Sequence, residues 1–314
     1  MTKECRFVVC GEALMDVFAG ARNDTGLALD ARVGGSPFNV AVGLARLGQP
    51  VGFAAALSRD FLGERLLQAL EAEGVALDLV SRVDAPTTLS LVGTDSQGVP
   101  SYAFYGQGGA DRQLAPAVVA RLPATAAVLH VGSYATVVEP AAAAVRALVL
   151  HARSRLLVSF DPNVRLNVEP DLARWRTMLD WMLPRTQLLK ISEEDLELLC
   201  PGRAPRAFID DALALGVGMA VVTRGAAGAL AGTQAAAVEV PSVVVRTVDT
   251  VGAGDTFQAA LLTWLAERQC LTADAVASLD AARLAEAIVF AAGAAALTCS
   301  RRGADLPRRD ELPA

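Results

Sequence analysis

The chain has 314 residues, 53% of them hydrophobic, and a formal net charge of −6 at pH 7. This length and composition are enough to bury a large core in one or two domains. The acidic balance and the dispersed basic residues argue against nucleic acid as a partner. Five cysteines without a CxxC spacing and only two histidines argue against a disulfide framework and against a zinc site.

The sequence also lacks the patterns typical of export or membrane insertion. Its first residues lead directly into a strand pattern, without an apolar signal segment. The uncharged stretch at 287–300 is short for a bilayer and rich in Ala and Gly. We therefore expect a cytoplasmic protein that has no membrane partner.

The first quarter of the chain predicts alternating strands and helices. Ser36, which precedes a proline, is the predicted N-cap of the first helix, and Gly48 marks its end. Apolar periodicity gives the remaining elements. In chain order these are a strand at 6–12, the helix that follows Ser36, a strand at 51–57 and a helix at 60–73.

Two segments do not fit this alternation. Residues 12–33 and 86–108 are polar and strand-like, and the second alternates about a turn at 96–98, which is typical of a hairpin. We predict that both segments leave the main sheet and form a small β-sheet lid.

From residue 126 onward, apolar strands alternate with helical patterns. This alternation indicates βαβ units and a mostly parallel, doubly wound α/β sheet with helices on both faces. We expect residues 1–314 to form a single domain, lid included. The predicted strands are at 127–131, 156–160, 187–191 and 219–222, and the predicted helices are at 141–153, 172–183 and 210–215.

The segment 249–255, Asp-Thr-Val-Gly-Ala-Gly-Asp, leads into a helix that begins near Gly254. The first amides of a helix have no intrahelical partner, and the helix dipole adds positive charge there. Because Gly252, Ala253 and Gly254 are small, an anion can approach these amides beside the Asp255 carboxylate. Phosphoryl transfer to a hydroxyl needs dipoles for the phosphate and a base for the alcohol. The alternative is an ordinary turn followed by an acid that suits the dipole.

Polar residues near the first strand are candidates for binding a polyhydroxyl ligand. Gly34 and Gly35 would let a ligand approach the backbone, and the Asn39 amide can donate to and accept from hydroxyls. Asp16 follows the first strand, at the edge where such sheets bind ligands. The alternatives are helix capping with Asn39 facing water, and a solvated loop acid at Asp16.

Further clusters follow three of the later strands. The first could bind a hydroxyl or acidic group, the second could order the water shell of Mg²⁺ on nucleotide phosphates, and the third could bind phosphate. The respective alternatives are a turn, an ordinary helix N-cap and a hairpin turn. The clusters are Asn163 and Arg165; Lys190, Ser192, Glu194 and Asp195; and Thr223, Gly225 and Gly228.

Several other chemistries lack their residues. The sequence has no G-x-x-x-x-G-K-[ST], no G-x-G-x-x-G after the first strand and no G-x-S-x-G. His130 lies in an apolar strand, where a core histidine with a satisfied hydrogen bond is expected.

These clusters, in this order, resemble the ribokinase-like (PfkB) family of sugar and nucleoside kinases. Residues 34–39, Gly-Gly-Ser-Pro-Phe-Asn, are similar to the family's N-terminal signature. Residues 249–256 are similar to its C-terminal signature, which is highly specific. The resemblance covers essentially the whole chain and implies one doubly wound α/β domain with a small β lid.

The resemblance also implies ATP-dependent transfer of the γ-phosphoryl group to a sugar hydroxyl. Asp255 would be the general base, and the amides of Gly252, Ala253 and Gly254 would form an anion hole. Asp16, Gly35 and Asn39 would hold the sugar, and Thr223 and Gly225 would lie on the nucleotide side. Members of the family often bind a monovalent cation such as K⁺, here through backbone oxygens near Asp249, Val251 and Ser300.

The sequence departs from the family at one motif. The family's Asn-x-x-Glu, which helps to organise Mg²⁺, reads Ser-Glu-Glu-Asp at 192–195. A carboxylate one methylene shorter remains at Asp195, and Glu194 is the alternative for the same role.

For the substrate, the run at 102–106 resembles the lid region of bacterial fructokinases, as do residues 161–165 and 250–258. This resemblance implies D-fructose, phosphorylated at O6, with Tyr102 and Phe104 as lid contacts. The alternatives are 2-keto-3-deoxygluconate, whose carboxylate would pair with Arg165, and then ribose or a nucleoside. A catalytically silent sugar or nucleotide sensor on the same fold is disfavoured by the intact Gly-Ala-Gly-Asp.

The lid also predicts self-association. Apolar residues such as Leu89, Leu91 and Val92 occur on both faces of its strands. An uncovered strand edge of this kind invites pairing with a second copy. We expect a homodimer formed through the lid.

Overall fold

A computed structural model of the chain describes residues 5–22, 24–94 and 100–313, which form three sheets and the helices that cover them. The strands are β1 (Phe7–Cys10), β2 (Leu14–Arg22), β3 (Leu27–Gly34), β4 (Val51–Ala54), β5 (Ala56–Ser58), β6 (Ser81–Val83), β7 (Leu89–Thr94), β8 (Pro100–Tyr105), β9 (Val128–Gly132), β10 (Leu157–Asp161), β11 (Leu188–Ser192), β12 (Met219–Thr223), β13 (Ala229–Thr233) and β14 (Ala237–Val240). The helices are α1 (Ser36–Arg46), α2 (Phe61–Ala72), α3 (Ala141–Ala152), α4 (Leu172–Met182), α5 (Glu193–Leu199), α6 (Pro205–Ala214), α7 (Ala253–Glu267), α8 (Ala273–Ala277) and α9 (Ala281–Cys299).

The largest sheet is mostly parallel, with the strand order β14-β13-β12-β11-β10-β9-β1-β4. From β4 to β12 all neighbours are parallel, and β13 and β14 extend one edge in antiparallel fashion. Its central strands are buried on both faces, which is typical of parallel sheets covered by helices. The predicted doubly wound α/β class is confirmed.

Successive residues of a strand enter different cores. Phe7 and Val9 pack in a core that includes α1, α7 and α9, whereas Val8 and Cys10 pack in one that includes α3, α4 and α6. Side chains of a strand alternate between its faces, so a strand covered on both sides reads as a continuous apolar run. This is why the parallel strands and most crossover helices could be predicted within a few residues. The exception is α6, predicted at 210–215, which begins at Pro205.

The second sheet corresponds to the predicted lid and has the order β3-β2-β7-β8. β7 and β8 form the predicted antiparallel pair, and β2 lies parallel to β7. The predicted turn at 96–98 lies outside the described residues.

One predicted strand, at 51–57, is two strands in different sheets. The chain leaves the main sheet after Ala54, and β5 then pairs with β6 in a two-stranded sheet. Buried backbone amides and carbonyls need partners, and β6 supplies them where the main sheet no longer does.

Helix α9 is long and apolar enough to span a membrane by length and composition alone. It packs against α7 and the edge strands β13 and β14. Its residues Leu284, Ile288 and Ala291 are fully buried in the same core as Phe7. This packing is that of a core helix.

Candidate active site

A cleft of about 1140 Å³ lies between the lid sheet and the carboxyl ends of the parallel strands. Such edges are where doubly wound sheets bind ligands. The lid contributes Asp16, Phe18, Ser90 and Phe104 to its wall, and the main sheet contributes Glu12 after β1, Ser133 after β9, Asn163 after β10, Glu194 after β11 and Thr223 at the end of β12.

Asp255 lies in the first turn of α7, and 6% of its surface is exposed. Its Oδ1 accepts a hydrogen bond from Ser36 Oγ at 2.6 Å, and its Oδ2 accepts one from Asn39 Nδ2 at 2.8 Å. Burial raises the pKa of Asp255, against the lowering effect of these two bonds and of Lys190 and Arg165. The carboxylate is therefore held in one orientation at the cleft wall.

The same contacts explain two differences from the sequence predictions. Gly35, with φ 108°, is the N-cap of α1, and Ser36 makes no capping bond. The Ser36 hydroxyl instead bonds Asp255 and accepts from Asn163 Nδ2 at 2.5 Å. Asn39 is buried and does not face water. The N-cap prediction for Ser36 and the wet-face alternative for Asn39 are both wrong, because both side chains are bonded to Asp255.

The N-terminus of α7 opens into the cleft. Gly252 is the N-cap with φ 78°, and no side chain caps the helix. A Cβ on Gly252 would lie 2.7 Å from Ala304 Cβ, and one on Gly254 would lie 3.0 Å from Lys190 Nζ. The Ala253 amide donates to Thr250 O at 3.2 Å, so this one of the three predicted anion-hole amides is engaged within the preceding turn.

A buried ion pair stands beside this helix. Lys190 Nζ donates to Asp161 Oδ2 at 2.8 Å, and the two side chains are 5% and 3% exposed. Burial lowers the pKa of Lys190, but Asp161, with Asp255 and Asp195, more than offsets this, and the pKa is raised. An ammonium at this position adds fixed positive charge near the helix N-terminus.

The two acids predicted to organise Mg²⁺, Asp195 and Glu194, differ in their exposure. Asp195 is buried, and its Oδ1 accepts from the Val164 amide at 3.2 Å. Burial, with Asp161, raises the pKa of Asp195 to about 6. Glu194 is exposed in the cleft wall. Within the described ranges, no group of three or more His, Cys, Asp or Glu could hold a metal ion.

The predicted nucleotide residues lie together at the ends of β11 and β12. Ser192 caps α5 by accepting from the Asp195 amide at 3.0 Å, as its ordinary reading predicts. Thr223 ends β12, and the turn to β13 contains Gly225 and Gly228 with φ 52° and 87°. This turn is a hairpin turn. Ser192, Thr223, Gly225 and Gly228 all line the cleft.

At the sugar end, Asp16 and Phe104 line the cleft. Burial raises the pKa of Asp16, against a hydrogen bond from Ser90 and the charge of Arg165. Gly34 lies behind Asp16, where a Cβ would come within 2.2 Å of Asp16 Oδ2.

Two further sugar contacts were predicted, Arg165 and Tyr102. Arg165 is an exposed wall residue that donates to Val164 O at 2.9 Å. The side chain of Tyr102 lies outside the described part of the structure.

The predicted cation segments are adjacent. Asp249 accepts from the Val251 amide at 3.1 Å and from the Gly303 amide at 2.9 Å, and its own amide donates to Cys299 O at 3.3 Å. Burial acts to raise the pKa of Asp249, but these amide bonds outweigh it and the pKa is lowered. The Ser300 hydroxyl donates to Leu297 O.

Sequence reasoning missed Ser36, Glu12 and Ser133. Ser36 had been assigned to capping. Glu12 lies two residues after the end of β1, and a polar residue at the carboxyl end of a parallel strand could have indicated a place in the cleft. Burial raises the pKa of Glu12 to about 8. His130, by contrast, is the expected core residue, with Nδ1 3.0 Å from Ser159 Oγ.

Comparisons with known proteins identify the family of the chain. A family model described as pfkB family carbohydrate kinase matches residues 6–311. The chain is 34% identical over 303 residues to a fructokinase of Rhizobium leguminosarum bv. trifolii, covering 96% of this chain and 90% of that protein.

Solved structures give the same result. A fructokinase with bound ATP from Xylella fastidiosa superposes with a TM-score of 0.86 at 28% identity, covering 98% of this chain and 97% of that one. A fructokinase double mutant from Vibrio cholerae O395, in a fructose-, ADP- and potassium-bound form, gives 0.79 at 26% identity, covering 97% and 95%. The chain therefore belongs to the pfkB family of carbohydrate kinases.

Proposed function

We propose that the protein is a fructokinase that transfers the γ-phosphoryl group of ATP to O6 of D-fructose, with Asp255 as general base. The observation that carries this proposal is the Asp255 carboxylate, fixed by Ser36 and Asn39 at the N-terminus of α7. The fructokinase names of the relatives support the choice of sugar.

In this proposal Asp255 accepts the proton of the sugar hydroxyl. The hydroxyl oxygen forms a bond to the γ-phosphorus as the bond from that phosphorus to the bridging oxygen breaks, and ADP leaves. The rise in pKa of Asp255 makes it a stronger base than an exposed aspartate. Gly252, Ala253 and Gly254, with the dipole of α7, would stabilise the charge on the phosphoryl oxygens.

The nucleotide would lie on the side of Lys190, Ser192, Thr223, Gly225 and Gly228, which line one end of the cleft. Bound Mg²⁺ would neutralise phosphate charge, with its water shell ordered by Glu194 or Asp195. The Xylella relative binds ATP, which supports the nucleotide.

A K⁺ ion would bind behind the anion hole through backbone oxygens near Asp249, Val251 and Ser300. These segments are in contact through the bond from the Asp249 amide to Cys299 O. The potassium-bound Vibrio relative supports this choice of ion.

The charges at the sugar end favour a neutral sugar over 2-keto-3-deoxygluconate. Arg165, the residue that would pair with an acidic substrate, interacts with Glu12, Asp16, Asp195 and Asp255. Asp16 and Asp255 already compensate the charge of this arginine, so a substrate carboxylate would gain little from it. Ribose or a nucleoside ranks next, and a silent sensor would have no use for the oriented carboxylate.

A coupled ADP-release assay tests the proposal. The substrates are fructose, 2-keto-3-deoxygluconate, ribose, glucose and adenosine, each with ATP and Mg²⁺, with and without K⁺. We expect saturable turnover on fructose. Turnover on another sugar alone would make that sugar, and not fructose, the substrate. ATP binding without any turnover would favour the sensor.

We also propose a homodimer through the lid in a cytoplasmic enzyme. Leu89 and Leu91 pack against the main core, but Leu27 and Leu29 on the edge strand β3 are 46% and 55% exposed. An apolar edge of this kind favours pairing with a second copy. Sedimentation at micromolar concentration should give a dimer, and Leu29→Lys should give a monomer. A wild-type monomer would contradict this proposal.

A further inference from the structure

Gln258 is a polar residue in a part of helix α7 that is almost entirely apolar. It lies three residues after Asp255, and none of its surface is exposed. Between Phe257 and Ala266 the only other polar side chain is that of Thr263. Glutamine is seldom fully buried, because its amide has to leave water. The presence of Gln258 therefore needs an explanation other than the packing of the core.

The Gln258 amide is bonded on one side only. Its Nε2 donates to Ser159 Oγ at 2.8 Å, whereas its Oε1 is buried and has no hydrogen-bond partner within the described residues. An unpaired buried oxygen lowers stability, and an apolar side chain of similar size would not have this effect. For the stability of the core alone, glutamine is thus a poorer choice than methionine.

Ser159 continues the chain of hydrogen bonds to a third buried residue. Ser159 on β10 lies opposite His130 on β9, and His130 Nδ1 is 3.0 Å from Ser159 Oγ. Burial, and next the charge of Lys190, lower the pKa of His130 to about 3, so the ring is neutral. A neutral ring has one accepting nitrogen, and a serine has one hydrogen to donate. Ser159 can therefore accept from Gln258 and donate to His130.

The bond from Gln258 joins α7 to the strand that carries Asp161. Ser159 and Asp161 are two residues apart on β10, so their side chains lie on the same face of the sheet. Asp161 is bonded to Lys190, and a Cβ on Gly254 would lie 3.0 Å from Lys190 Nζ. The helix thus meets this face at two points, Gly254 and Gln258. Four residues of helix span about 6 Å and two residues of strand about 7 Å, so the spacings of the two points match.

Asp255 lies between these two points in the chain. Its carboxylate is fixed relative to α1 by Ser36 and Asn39. The bond from Gln258 fixes the same helix relative to the sheet. Apolar packing has no preferred direction, whereas a hydrogen bond sets a distance and an angle. The register of α7 on the sheet therefore depends on this one directional contact more than on its apolar neighbours.

We propose that Gln258, bonded through Ser159 to His130, is a positioning residue that holds α7 in register on the sheet and thereby keeps Asp255 in place for phosphoryl transfer. This inference rests on the role proposed for Asp255. Gln258 is fully buried outside the cleft wall, so it acts through the helix. A displacement of about 1 Å at a reacting group can lower a rate about hundredfold. Because the same amide leaves an oxygen unpaired, stability and activity should respond to Gln258 in opposite directions.

Two variants break the bond between Gln258 and Ser159 from its two sides. Gln258→Met removes the unpaired oxygen and leaves Ser159 bonded to His130. Ser159→Ala leaves both the Gln258 amide and His130 Nδ1 without this partner. We expect Gln258→Met to keep or raise the Tm and Ser159→Ala to lower it. Both variants should lower kcat about tenfold to hundredfold, with the KM values for sugar and ATP unchanged, at a temperature where both are folded.

Thr263→Val is the matched control on the same helix. Thr263 is fully buried, and its hydroxyl also has no partner in the part of the chain that the structure describes. It lies eight residues after Asp255, and valine keeps its shape. We expect the Tm to rise, as for Gln258→Met, while kcat stays that of the wild type. In the double variant Gln258→Met with Ser159→Ala, kcat should be no lower than in Ser159→Ala, since both changes remove the same bond.

Hydrogen exchange of the amides at 250–257, measured by mass spectrometry, gives a readout that does not depend on turnover. We expect faster exchange in Gln258→Met and in Ser159→Ala, and wild-type exchange in Thr263→Val. A kcat that follows the Tm, and so stays at the wild-type value in Gln258→Met, would overturn the proposal, as would unchanged exchange in that variant. If Asp255→Asn retains turnover, the role proposed for Asp255 fails, and the exchange result still decides whether Gln258 holds the helix.

Discussion

The two ends of the cleft differ in how far the protein has organised them. At the sugar end, Asp255, Ser36, Asn39 and Asn163 are joined by hydrogen bonds of 2.5–2.8 Å. At the nucleotide end, the wall includes the segment 242–247, which is neither helix nor strand and in which Val244 is 94% exposed. One end consists of fixed side chains, and the other consists largely of backbone and open apolar surface.

This difference matches what each end has to do. A general base must meet one hydroxyl at one distance and angle, so its supporting bonds have to exist beforehand. A nucleotide can be held by backbone groups, helix termini and apolar contact, which tolerate a more open wall. Changes at the sugar end should therefore lower kcat, and changes at the nucleotide end should raise the KM for ATP.

The largest expected effect is that of Asp255→Asn. The amide keeps the shape of the side chain but cannot accept the hydroxyl proton. We expect kcat to fall by about 10²–10⁴-fold, the usual range for general-base catalysis, while sugar binding survives. Steady-state kinetics and sugar calorimetry provide the two readouts, and near-wild-type turnover would remove Asp255 from the mechanism.

At the nucleotide end, Gly228→Ala should weaken the binding of ATP. Gly228 has φ 87°, and a Cβ there would lie 2.1 Å from Val240 O, so the turn between β12 and β13 has to move. Strain of roughly 1–3 kcal/mol should raise the KM for ATP about tenfold and leave the KM for the sugar unchanged.

Gly225→Ala is the matched control in the same turn. Gly225 has φ 52°, but a Cβ there would meet no atom within 4 Å. We expect a smaller rise in the KM for ATP, because only the backbone preference is lost. Equal effects from the two variants would show that the contact with Val240 is not what matters.

The sequence was sufficient for features that depend on local pattern. Buried strands, their crossover helices and a helix start near Gly254, which the structure places at Ala253 after the N-cap Gly252, follow from periodicity, glycine and turn chemistry. It was not sufficient for contacts between distant residues. Asn163 and Ser36 are 127 positions apart, and no spacing rule predicts that they meet.

Local rules also misassigned residues whose partners lie elsewhere. Ser36 before a proline has the pattern of an N-cap, but Asp255 competes successfully for its hydroxyl. Glu12 ends the strand predicted at 6–12, and only the fold shows that it is buried beside the cleft. Burial of a polar group is a tertiary property, so its consequences cannot be read from one segment.

A smaller effect is expected for Arg165→Ala, at the boundary of the organised end. Arg165 is exposed and lowers the pKa of Asp255 through its charge. Its removal should raise that pKa, so the acidic limb of the kcat profile should move to higher pH, since Asp255 must be ionised to accept a proton. With fructose we expect a loss of less than about tenfold at pH 8, and a greater loss with an acidic sugar. A large loss confined to 2-keto-3-deoxygluconate would reverse the ranking of substrates.

The smallest expected effect concerns stability, and it tests whether the buried Glu12 carboxyl makes the fold less stable as the pH rises. The pKa of Glu12 rises from 4.5 to about 8 in the fold, because of burial first and of Asp111 next, against Ser133 and Arg165. Between these two pH values the folded protein holds a proton that the unfolded chain has lost, so stability falls as pH rises through this window. Above it, an ionised carboxylate is buried in the wild type.

Glu12→Gln removes this titration while keeping the side-chain volume. We therefore expect its Tm, relative to that of the wild type, to be a few degrees higher at pH 8 than at pH 5, because the amide does not ionise. Thermal unfolding at the two pH values, without ligands, measures this difference directly. A Tm difference that does not change with pH would mean that Glu12 is already ionised at pH 5, and the carboxyl would then have to be balanced by a charge such as Arg165 rather than protonated.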